Sequence, residues 1–132
     1  MANIKHHNKT LNTSIAKHVN MLEKNVLLRA HDWMKKYRYT AIKYFIEDVR
    51  DARKFTIAAL TIDNNFPYDK LRYWEEVKAA MNNVECDLEI LNANDVNVLS
   101  NEECAKFLME VDTINTMIGR LVKQLTNKLP ES

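Results

Sequence analysis

Apolar residues recur along this chain in steps of three and four. Ile15, Val19, Leu22, Val26, Ala30, Trp33 and Tyr37 advance by 4, 3, 4, 4, 3 and 4 residues, which keeps them on one face of a helix with 3.6 residues per turn. The spacing predicts a first helix that starts near Thr13 or Ser14, where a side-chain hydroxyl can accept an otherwise unpaired backbone N–H. The rhythm resets between Lys36 and Thr40, and a second helix is expected over Thr40 to Thr61. Its inner row is Ile42, Phe45, Val49, Ala52, Thr56 and Ala59, widened by Ile46, Ile57 and Leu60. Asp63-Asn64-Asn65 reads as a loop, and Pro67 suits the first turn of a third helix, where a missing N–H costs nothing. Leu71, Trp74, Val77, Met81, Val84, Leu88 and Leu91 form the stripe of that helix. The Asn- and Asp-rich stretch from Asn92 to Leu99 is a second loop. Ser100 and Glu103 then have the spacing of a capping box, in which each side chain serves the other's backbone donor. Phe107, Val111, Ile114, Ile118, Leu121 and Leu125 make the fourth stripe.

Four amphipathic helices joined by short loops predict an all-α fold, an antiparallel up-and-down four-helix bundle over residues 13–129. Residues 1–12, with Lys5, His6, His7 and Lys9, read as a flexible basic tail, and Pro130 marks the end of the last helix. Composition agrees with this class. One glycine and two prolines in 132 residues leave few helix breakers and too few turn residues for a sheet protein. A long three-helix bundle is the alternative if the first two stripes run on through Tyr37. A chain of this size buries enough apolar surface to need no disulfide or metal staple. Cys86 and Cys104 have no C-x-x-C spacing and read as two small buried apolar residues.

The patterns that carry catalysis are missing. No Glu has a His three residues on, as a carboxylate-bridged metal site in a bundle requires, and His-Glu-x-x-His is absent. One glycine cannot build a phosphate-cradling loop. No catalytic residue, metal or cofactor is therefore expected. His31 on a bundle helix invites comparison with phosphotransfer domains, where a lysine and then a glycine follow the histidine. Here Asp32-Trp33-Met34-Lys35-Lys36 follows, so His31 reads as a surface histidine beside the Trp33 stripe. Met1 to Thr10 lacks the apolar segment of a secretory signal. No run reaches the roughly 20 apolar residues of a membrane span, so no membrane partner is expected, and the reducing cytoplasm is the expected compartment.

The net charge of +1 hides a division. Residues 1–54 hold 12 Lys and Arg against 5 Asp and Glu, and residues 55–132 hold 7 against 13. One half could offer a positive face to a polyanion, or to the acidic half of another copy. The candidate constellation is Lys35-Lys36-Tyr37-Arg38-Tyr39, followed by Lys43 and Tyr44. Cations attract phosphates regardless of base sequence, and tyrosines beside them can stack on unpaired bases or anchor a protein interface. Arg50, Arg53 and Lys54 extend the charge along the second helix, while Glu47, Asp48 and Asp51 interrupt it. A solvated face laced with i,i+4 pairs is the alternative reading of that helix.

The segment Lys35-Lys36-Tyr37-Arg38-Tyr39-Thr40-Ala41-Ile42 resembles the basic-aromatic-Arg-aromatic-Thr turn that opens the second helix in a family of small bacterial and phage four-helix bundles. That family includes the accessory variability protein of diversity-generating retroelements and the proteins encoded within large-subunit ribosomal RNA genes. Thr113-Ile114-Asn115-Thr116-Met117-Ile118-Gly119-Arg120 is similar to its last-helix segment, and Ser100 to Cys104 to the start of that helix. The resemblance covers about residues 20–127. It departs where Lys36 replaces a proline, where Gly119 stands alone in place of a double glycine, and in overall charge, which is strongly basic in the retroelement proteins. The resemblance implies a non-catalytic homopentamer that binds a reverse transcriptase and its template RNA. Lys35, Lys36 and Arg38 would then face the RNA or DNA phosphate backbone, and Gly119 would permit close helix packing. A homo-oligomeric interaction bundle without nucleic-acid binding is the competing expectation.

Overall fold

The computed structural model describes the backbone of residues 2–36 and 40–129, and the side chains of residues 13–33 and 41–129. Four helices account for most of it: α1 (Ala2–Lys36), α2 (Thr40–Thr61), α3 (Pro67–Asn92) and α4 (Asn101–Lys128), with no strand among the described residues. Around the molecule α1 packs on α2, α2 on α3, α3 on α4 and α4 on α1, while the diagonal pairs make no close backbone approach among the described residues. The predicted stripes are the inward faces. Ile15, Val19, Leu22, Val26, Ala30 and Trp33 are buried on α1, and all six inner-row residues of α2 are buried as well. Rings from three helices meet in the core. Trp33, Phe45 and Phe107 stand with each pair of centroids 6.1 Å apart, and Phe107 meets both others edge-on, the arrangement that ring quadrupoles favour.

Two boundaries differ from the sequence expectation. Helix α1 starts at Ala2, not near Thr13, so the backbone expected to be a tail is helical. Residues 2–12 contain no glycine or proline, so the segment has no residue that breaks a helical backbone. On α3 the buried residue of the first turns is Lys70, while Leu71 is half-buried. The reason lies at the end of α2, which has no glycine cap. Lys70 Nζ donates to the carbonyls of Ala59 at 2.7 Å and Ile62 at 2.9 Å, supplying acceptors that the helix itself leaves unpaired. Burial pulls the Lys70 ammonium below its ordinary pKa, and Asp63 partly restores it.

The loops follow their side chains. Asp63 Oδ1 accepts the Asn65 N–H at 2.8 Å, fixing the turn before Pro67. In the second loop Asn97 takes a left-handed φ of 50°, which asparagine tolerates better than most residues. Asn92 Nδ2 donates to the Leu99 carbonyl and to Asn101 Oδ1, and Leu99 is fully buried beneath the turn. Half of the predicted capping box forms: Ser100 Oγ accepts the Glu103 N–H at 3.1 Å. The Glu103 carboxylate turns to Arg29 on α1, 2.7 Å away. Cys104 is buried with its Sγ toward the Leu88 carbonyl, but Cys86 is exposed, contrary to expectation. It lies two residues from both Val84 and Leu88, about 200° around the helix and so on the outer side of α3.

Candidate nucleic-acid interface

Lys43, Arg50 and Lys54 lie 7 and 11 residues apart, so they share one face of α2, opposite the row of Phe45, Val49 and Ala52. All three are exposed, and none has a carboxylate within ion-pair distance among the described residues. Glu47 and Asp51 are exposed on the same side. The described i,i+3 and i,i+4 ion pairs are elsewhere, at Arg29–Asp32 and Glu102–Lys106. Tyr44 stands beside the cations, 55% exposed.

Arg53 behaves differently from its neighbours. It sits between Ala52 and the seam with α1, where its Nε lies 2.6 Å from Glu23 Oε2. Its charge is spent on joining two helices. Position 53 follows Val49 by one turn, so it borders the buried stripe; that spacing was a signal of the inward role. The backbone of Lys35 and Lys36 ends α1, next to the start of α2. Their side chains lie outside the described residues, as do Tyr37, Arg38 and Tyr39.

No family model, curated protein or solved structure matches this chain.

The structure adds cations that charge runs along the sequence did not single out. Lys17 and Lys24 are exposed on the outer face of α1, seven residues apart. A shallow pocket of about 420 Å³ lined by Lys24, Glu23 and Arg53, among others, places Lys24 at the α1/α2 seam. Their seven-residue interval on the polar side of α1 was the available clue. Gly119 is exposed, and a Cβ built there would meet nothing within 4 Å. The glycine is therefore not required by helix contact within this chain, contrary to the packing role the resemblance implied. His31 is exposed. Among the described residues no group of three or more His, Cys, Asp or Glu could hold a metal ion. No described helix is long and apolar enough to cross a membrane.

A pair of carboxyl groups faces across the α2/α3 seam. Burial pushes the Asp87 carboxyl up to about 8, and the Asp48 carboxylate opposite adds to the shift. Asp87 Oδ2 is closed off from solvent and lacks a donor when both groups are ionised. A proton on Asp87 turns the contact into a hydrogen bond to Asp48. This pair lies on the flank of α2 away from Lys43 and Lys54, so it governs helix contact and not the cation face.

Proposed function

We propose that this chain is a non-catalytic accessory protein that binds nucleic acid on the outer face of α2. The observation that carries the reading is the row of Lys43, Arg50 and Lys54, exposed on one side of a packed helix and without carboxylate partners among the described residues. Cations in that state attract a phosphate chain without first breaking an internal ion pair. Lys24 and Lys17 extend the footprint onto α1, and Lys35, Lys36 and Arg38, which precede α2 in the sequence, are assigned to it on charge and resemblance alone. Tyr37, Tyr39 and the exposed Tyr44 supply rings for unpaired bases. The resemblance of that joint to the retroelement accessory proteins supports a reverse transcriptase as protein partner and a cytoplasmic setting.

The same reading includes an antiparallel up-and-down bundle. Its support is the order of contacts: on α1 His18 meets Glu110 and Arg29 meets Glu103, so advance along one helix is retreat along the other. The short α2–α3 and α3–α4 loops agree with it.

The test is the reversal Lys43→Glu, Arg50→Glu and Lys54→Glu. RNA affinity should fall at least about tenfold at low salt. For a single strand, three lost phosphate contacts should flatten the slope of log K against log salt by about 2. Circular dichroism should be unchanged, because all three side chains lie outside the core. Undiminished binding at low salt refutes the reading.

A second reading rests on the division of charge between the two halves of the chain, in which copies join basic face to acidic face in a homo-oligomer, pentameric by resemblance. Assembly that dissolves with salt, and carries no nucleic acid, favours it.

A further inference from the structure

The two most exposed large apolar side chains among the described residues are Met109 on α4, 71% exposed, and Leu28 on α1, 64% exposed. Both line one groove of about 930 Å³ along the α1/α4 seam, with Phe107 of the core in its lining. Scattered exposed leucines are ordinary, but here one exposed apolar side chain from each wall joins Phe107 in a groove whose remaining lining is polar, the mix of apolar anchors and placed polar groups that a binding site uses. The groove is long. It spans the contacts His18–Glu110 and Arg29–Glu103, and eleven residues of α1 between them correspond to about 16 Å at the helical rise. That is about three turns, long enough to take the two turns of an i, i+3, i+7 stripe on a docked helix.

The charges along the groove select the occupant. Arg29 is held by Glu103 and Asp32, and Lys106 is within reach of Glu102. Glu110 is the groove carboxylate with no lysine or arginine beside it, only His18. Its Oε2 and the Nδ1 of His18 are shut off from solvent and have no hydrogen-bond partner, and the 3.8 Å between them is too long for one. The Glu110 side chain is one-third exposed at the groove, so an arriving lysine or arginine is drawn to its charge, whereas an acidic residue adds repulsion. We infer that the α1/α4 groove docks an amphipathic helix of a partner protein, which sets apolar side chains between Leu28 and Met109 and a lysine or arginine against Glu110. The surface is distinct from the cation row of α2, and the inference stands whether or not that row binds nucleic acid.

The probe is an alanine-based helical peptide of about 14 residues, four turns long, with leucines at alternating spacings of three and four and one central lysine. It is titrated into the full chain labelled at its methionine methyl groups, with the Met109 signal assigned by Met109→Leu. The Met109 signal should shift saturably. A twin peptide with glutamate for the lysine should bind about tenfold more weakly, a preference that Glu110→Gln in the chain should remove. Leu28→Glu should abolish binding of both peptides while leaving circular dichroism unchanged, since Leu28 is outside the core. Three results overturn the proposal: no saturable shift at millimolar peptide, equal binding of the two peptides, or unchanged binding to the Leu28→Glu chain. Sedimentation showing that Leu28→Glu breaks an oligomer of this chain also overturns it, because a second copy then fills the groove.

Discussion

Replacing Asp87 by asparagine should stabilise the protein at alkaline pH. The Asp87 carboxyl rises from 3.8 to about 8 because burial disfavours its charge and Asp48 faces it. The folded chain thus holds this proton more tightly than the unfolded chain does. Stability from this group is complete below about pH 4 and is lost as the pH climbs to about 8. At about 1.4 kcal/mol per pKa unit, the full shift corresponds to at most about 6 kcal/mol. Asp87 is only half-buried, and water screens the pair, so a penalty of roughly 1–3 kcal/mol is the expected size. Asparagine keeps an N–H donor toward Asp48 and cannot ionise. Thermal melts followed by circular dichroism at pH 5.5, 7.0 and 8.5 measure the effect. For a chain of this length about 1 kcal/mol moves Tm by about 3–4 °C. Asp87→Asn should therefore raise Tm by several degrees at pH 8.5 and remove most of the difference between pH 5.5 and 8.5, whereas Asp48→Asn should remove a smaller part, because burial of Asp87, the larger cause, remains. The difference between variant and wild-type curves isolates the pair from other titrating groups. A wild-type Tm that does not fall between pH 5.5 and 8.5, or a lower Tm for Asp87→Asn at pH 8.5, refutes the reasoning.

Lys70→Met should cost about 2–3 kcal/mol, since it leaves the Ala59 and Ile62 carbonyls without their charged donor; urea unfolding should show a lower midpoint at constant m. Arg53→Gln should leave RNA affinity within about twofold, whereas Lys54→Gln should weaken it several-fold at low salt, because only Lys54 holds an uncommitted charge. Equal losses from these two adjacent positions would show that the Glu23 ion pair opens on binding.

The residues that could be read from sequence are those whose role is settled within their own helix. The stripes of α1 and α2 came out as buried rows because burial follows the 3.6-residue period. Pro67 and Ser100 act within one turn of their positions, and both stand where expected. The misreadings concern partners on other elements. Lys70 is buried because α2 ends in carbonyls that need a donor, a fact written in a different segment. Glu103 has the spacing of a reciprocal cap, but Arg29, 74 residues away, competes for it. Arg53 and Lys54 are neighbours in a charge run, yet a step of about 100° on the helix turns one to the seam and the other to solvent. Leu28 and Met109 fall off their stripes and look like isolated surface residues; only the α1/α4 contact brings them to one groove.

The two proposed surfaces meet at α1. Leu28 lines the α1/α4 groove and also the shallow pocket at the α1/α2 seam that holds Lys24 and Arg53. A helix seated in the groove therefore reaches the edge of the basic face. Its lysine or arginine, directed at Glu110, would neutralise a carboxylate that repels a phosphate chain crossing α1. Nucleic acid bound on Lys17 and Lys24, as proposed, would in turn lower the cost of bringing that cation in. Linkage makes the effect equal in both directions: whatever factor the docked helix adds to nucleic-acid affinity, nucleic acid adds to the helix. The expected coupling rests on α1 forming one wall of the groove and one border of the cation face, and it needs no movement of the bundle. It is electrostatic, so it should fade with added salt, while apolar contact of the helix with Leu28 and Met109 should not.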